Sequence, residues 1–114
     1  MGIALITGGS GHVGANLVRE LSSRDYQVRC IDFDNDYRAF EGFDVELVKG
    51  NITDISTLDT AFKDVEVVFH TAAVISLDKK DKNLIRSVNV GGTENVCEMS
   101  LRHGVKKLIH FSSV

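Results

Sequence analysis

Short apolar runs alternate along the chain with longer stretches in which apolar residues recur at helical spacing. In the 114 residues, positions 2–7, 27–32, 45–49, 66–70 and 107–112 read as strands, and 13–21, 55–62 and 84–102 as helices. Val13, Leu17, Val18 and Leu21 form one stripe of the first helix, with Arg19, Glu20 and Ser23 off it, and Leu84, Val88, Gly92, Val96 and Met99 repeat the device in the last. Asp54 stands in N-cap position before the second helix, and Gly104 stands where a left-handed residue closes the last one. Ala4, Leu5 and Ile6, like the stretch from Val65 to Phe69, are apolar in succession rather than alternating, so these strands are expected to be covered on both faces of a parallel sheet. Right-handed crossovers between them predict an α/β fold, a doubly wound parallel sheet of five strands in the order 3-2-1-4-5 with helices on both sides. Positions 35–43 are too short and polar for a crossover helix and read as a loop with room for one helical turn. No repeat or low-complexity segment breaks the pattern, and one domain is expected over 1–114.

Composition narrows the class. A hydrophobic fraction of 43% and a charged fraction of 25% are ordinary for a globular protein, and no apolar run approaches the ~18 residues of a membrane span. Met1 leads into an apolar strand without the basic start and cleavage pattern of a secretory signal, so a cytoplasmic protein with no membrane partner is expected. The net charge of −3 argues against nucleic acid as a partner, and the cluster Lys79, Lys80 and Lys82, interleaved with Asp78 and Asp81, reads as a solvated helix start. Cys30 and Cys97 read as small buried hydrophobes rather than a disulfide or redox pair, and no metal site is expected.

The chemistry is concentrated in Thr7-Gly8-Gly9-Ser10-Gly11-His12-Val13-Gly14, which leaves the first strand and opens the first helix. Gly8 suits the tight turn out of the strand, Gly11 lets backbone approach a ligand, and Gly14 lets the helix pack closely on the sheet. Backbone N–H groups near His12 and Val13, backed by the helix dipole, would then face a pyrophosphate. An isolated glycine motif is more often a plain turn, but strand, helix and acidic partner together point to a Rossmann-type dinucleotide site. That partner is Asp32, at the end of the second strand, where a carboxylate accepts both ribose hydroxyls of the adenosine. A 2′-phosphate ~4 Å from it would cost about 1–4 kcal/mol, so NAD is expected over NADP, with Phe33 following Asp32 and Arg38 the nearest compensating cation in the loop.

These residues resemble the extended short-chain dehydrogenases/reductases, the NAD-dependent epimerase/dehydratase group, whose glycine spacing matches TGGSGHVG. Lys49-Gly50-Asn51-Ile52-Thr53-Asp54 is similar to the group's GDxTD segment, which implies that Asn51 and Ile52 lie against the adenine, an amide replacing the usual aspartate. Phe69-His70-Thr71-Ala72-Ala73 is similar to the group's HxAA turn, which implies that Ala72 and Ala73 let the cofactor pass; His70 itself is expected to be a satisfied strand-end histidine rather than a catalytic one. Asn89 matches an asparagine that supports the active site from the long helix, and read alone is an interfacial amide bonding helix to strand. Phe111-Ser112-Ser113 resembles the SS that ends the fifth strand, which implies a substrate-facing hydroxyl on Ser113; read alone, such a serine is a turn residue. The similarity spans essentially the whole chain and is nearest to the dihydroflavonol-reductase-like and 3β-hydroxysteroid-dehydrogenase-like branch, with nucleotide-sugar epimerases next.

The group's hydride chemistry also uses a Tyr-x-x-x-Lys pair, and here neither Tyr26 nor Tyr37 has a lysine four residues on. The expectation is therefore the NAD-binding portion of an oxidoreductase, epimerase or dehydratase that binds cofactor but turns over a small-molecule substrate only in a longer chain. The alternative is a non-catalytic dinucleotide-binding or redox-sensing module. An uncovered edge at the fifth strand would pair with a second copy, so a homo-oligomer is expected.

Overall fold

The computed structural model describes residues 2–8, 12–32, 42–71 and 87–111. In chain order these form β1 (Ile3–Thr7), α1 (His12–Ser23), β2 (Gln27–Asp32), β3 (Val45–Lys49), α2 (Ile55–Ala61), β4 (Val65–His70), a π-helical turn (Ser87–Gly91), α3 (Gly92–Arg102) and β5 (Lys107–His110). The strands are all parallel and lie in the order β3-β2-β1-β4-β5, the doubly wound Rossmann-type sheet that the alternation predicts.

Successive apolar residues in β1 serve two cores. Leu5 packs with Ile31, Leu58, Phe62, Val68, Val96 and Met99, the layer shared with α2 and α3. Ala4 and Ile6 point the other way, into a layer with Val18 and Leu21 of α1 and Val28 and Cys30 of β2. Ala4, Leu5 and Ile6 are thus each removed from water by one helical layer, which stabilises the sheet by about 1.5–3 kcal/mol per large aliphatic side chain.

Local chemistry sets the element ends. Asp54 caps α2 as expected, its carboxylate accepting from the Ser56 N–H at 3.1 Å and the Ser56 hydroxyl at 2.7 Å. The opposite end of α2 is held from β2, where the Arg29 guanidinium donates to the carbonyls of Ala61 at 2.8 Å and Lys63 at 2.7 Å and pairs with Glu46 of β3 at 2.9 Å. Gly104, at φ +66°, provides the left-handed residue after α3.

Four expectations change. Positions 84–102 do not form one α-helix: within the described residues α3 is preceded by the π-helical turn, a wider loop of backbone that shifts which side chains share a face. Cys97 is exposed rather than buried, because the covered stripe of α3 runs through Gly92, Val96, Met99 and Ser100, and position 97 lies one step around from it. Val13 is 44% exposed, since the first turn of α1 lies at the sheet's C-terminal edge and not over its middle. β5 ends at His110, not 112, with Phe111 still donating its N–H to the His70 carbonyl at 3.1 Å. Most of 35–43 lies outside the described residues.

Candidate functional site

From β1 the chain crosses to β2 on one side, and from β3 it crosses back to β4 on the other, so the winding reverses between β1 and β4. In such sheets the crevice beyond the C-terminal strand ends at this reversal is where ligands are held. Thr7, Asp32 and His70 are the last residues of β1, β2 and β4, and so stand together along that edge.

Gly8 leaves β1 at φ +72°, a conformation that costs an L side chain about 1–2 kcal/mol, and its N–H extends the ladder to the Ile31 carbonyl at 3.2 Å. The turn is pinned from β4. Thr71 donates its N–H to the Thr7 hydroxyl at 3.1 Å, and its own hydroxyl to the Thr7 carbonyl and, at 3.3 Å, to the Gly8 carbonyl. His70, only 1% exposed, is bonded at Nδ1 to the Thr7 hydroxyl at 2.7 Å and at Nε2 to the Thr93 hydroxyl at 3.0 Å. Its ring lies 5.0 Å from that of His110. Burial, and secondly the neighbouring His110, push the His70 imidazole down to about 4, so it is neutral at physiological pH. It is a satisfied strand-end histidine, as expected.

Of the other anticipated residues, Gly14 is buried in the first turn of α1 and His12 opens that helix beside the exposed Val13. Asp32 is in register with Lys49 of β3. The side-chain carbonyl oxygen of Asn51 accepts from the Thr53 N–H at 3.0 Å and hydroxyl at 2.9 Å. The Ile52 side chain belongs to the core, 6% exposed, and a Cβ at Gly92 would lie 2.4 Å from its Cδ1. Its carbonyl accepts from the Asn95 amide at 2.9 Å. Asn89 sits half-buried in the π-helical turn. Gly11, Ala72, Ala73 and Ser113 lie outside the described residues.

Sequence reasoning missed Thr7, Thr71 and Thr93. Thr7 and Thr71 stand inside the glycine and HxAA segments and were open to notice, whereas nothing local joins Thr93 to position 70. Among the described residues no group of three potential metal ligands forms, and no helix is long and apolar enough to cross a membrane. A cavity of about 350 Å³ lies at the opposite, N-terminal strand ends, beside Ile3, Tyr26 and Phe43, away from these residues.

Residues 5–114 match the model of the 3-beta hydroxysteroid dehydrogenase/isomerase family. The chain belongs to that family. Relatives include sterol demethylase protein B of Methylococcus capsulatus, 39% identical over 110 residues (96% of this chain, 34% of the relative), and a 3 beta-hydroxysteroid dehydrogenase/Delta 5-->4-isomerase of Mycobacterium tuberculosis, 39% identical over 119 residues (99% and 32%). The crystal structure of a short-chain dehydrogenase/reductase superfamily protein from Agrobacterium tumefaciens with bound NAD superposes with a TM-score of 0.86 at 30% identity, covering 97% of this chain and 32% of that one. The chain thus spans about a third of the length of the curated relatives it matches.

Proposed function

We propose that this chain is the NAD-binding portion of an oxidoreductase of the 3-beta hydroxysteroid dehydrogenase/isomerase family. The observation that carries the reading is the joint placement of the left-handed Gly8 turn and Asp32 at the ends of adjacent strands, on the edge where the sheet reverses. The residues fit a dinucleotide: backbone N–H groups at Gly11 to Val13 for the pyrophosphate, Asp32 for the adenosine ribose, the Asn51 amide and Ile52 backbone toward the adenine, and Ala72 and Ala73 for close passage. When bound, the nicotinamide supplies the hydride donor or acceptor, while Ser113 bonds the reacting hydroxyl or carbonyl and Asn89 supports the site from the π-helical turn. The names of the relatives support a sterol-like secondary alcohol or ketone as the substrate of the whole protein. Self-association through the β5 edge is part of the same reading, and static light scattering giving a clean monomer at high concentration would count against it.

Calorimetric titration of the intact protein with NAD and NADP is the test. We expect NAD to bind about tenfold to a thousandfold more tightly, from the cost of a 2′-phosphate beside Asp32. Tighter NADP binding removes the role given to Asp32, and no binding of either overturns the reading.

A further inference from the structure

We infer that His70 is a positioning residue for the phosphate turn, linking the start of α3 to Gly8 through Thr93, Thr7 and Thr71. The inference rests on the proposed reading of the Gly8 turn as part of a dinucleotide site. Three chain segments far apart in sequence meet in this relay. The imidazole is bonded on both nitrogens, to Thr93 in the first turn of α3 and to Thr7 at the end of β1. The Thr7 hydroxyl in turn accepts the Thr71 N–H, and the Thr71 hydroxyl holds the Thr7 and Gly8 carbonyls. Both peptide groups that set the direction of the chain as it leaves β1 are therefore held by the Thr71 hydroxyl, and His70 fixes the Thr7 hydroxyl that in turn holds the Thr71 N–H.

The device suits its place. At 1% exposure no water can replace a missing partner, so loss of one bond is felt as displacement of the turn rather than as exchange for solvent. A neutral ring also adds no charge beside an anionic ligand. The other titratable group packed against it, His110 of β5, reaches it by ring contact and leaves both nitrogens to the threonines. His70 acts through Thr7 and Thr71, not by contact with the reacting atoms.

The test separates phosphate binding from the rest. In the intact protein, His70→Leu and the near-isosteric Thr7→Val are each expected to weaken NAD and ADP about three- to tenfold, the worth of one buried hydrogen bond, while adenosine, which has no phosphate, binds as to the wild type. His70→Asn, whose amide reaches the position of Nδ1, should restore most of the ADP affinity; His70→Gln, which reaches the position of Nε2, should not. Equal weakening of adenosine and ADP, or unchanged ADP binding by a folded Thr7→Val protein, would overturn the inference. A wild-type protein that binds no NAD would instead overturn the reading of the site on which it rests.

Discussion

At the scale of single residues, one absent methyl group governs how closely α3 approaches the turn before α2. A Cβ at position 92 would meet Ile52 Cδ1 at 2.4 Å and Cγ1 at 2.6 Å, well inside van der Waals contact. Overpacking of this kind costs about 1–3 kcal/mol, against about 1 kcal/mol that alanine gains over glycine in a helix. We expect Gly92→Ala to lower stability by up to about 2 kcal/mol in urea denaturation, and Ile52→Val to recover part of that loss in the double variant. Additive effects of the two changes would show that they do not touch. Residues governed by local rules were legible: Gly8 at a positive φ, Asp54 as a cap and Gly104 as a left-handed closure each follow from neighbours a few positions away. Residues governed by tertiary meetings were not. The partners of His70 come from β1 and α3, and the core partners of the Ile52 side chain come from elements distant in sequence.

At the scale of elements, the strands and their order were readable because double coverage imposes unbroken apolar runs, a signal that survives errors of a residue or two at the ends. The π-helical turn was not, since Leu84, Val88 and Gly92 keep helical spacing whether or not the backbone widens between them. The α2 end offers a sharper case. Its last carbonyls are held by a guanidinium reaching from β2, its side chain 12% exposed, whereas the Glu46 partner of that guanidinium is 60% exposed. Arg29→Lys, which loses the fork, is expected to cost about 1–3 kcal/mol by leaving carbonyls without a donor. Glu46→Gln removes only a solvent-screened pair and should cost under about 1 kcal/mol. Thermal melts of the two variants check this, and a larger loss in the glutamine variant would reverse the assignment.

At the scale of the whole molecule, acid stability depends on the buried imidazole. As pH falls below about 6.5 the unfolded chain takes up a proton at His70, while the native chain, with that group lowered to about 4, does not. The contribution is therefore complete above 6.5, is lost as pH falls toward 4, and amounts to about 3 kcal/mol in all. Denaturation midpoints should fall between pH 7 and pH 4.5, and the fall should be shallower in His70→Asn; equal slopes would place the loss elsewhere. Asp54 acts in the same direction at lower pH, its carboxyl held below its ordinary value by the Ser56 hydroxyl and N–H, so that its benefit is present above that range and lost on protonation. The central place of β1 has a further consequence, this time for synthesis. Thr7 and His70 meet across the β1–β4 ladder although they are 63 positions apart. At about 5–20 residues per second on a ribosome, the most apolar strand of the sheet waits several seconds for the neighbour that closes its second edge. During that interval β1 is a natural target for holding chaperones, and slowing translation between positions 8 and 65 should reduce the soluble yield.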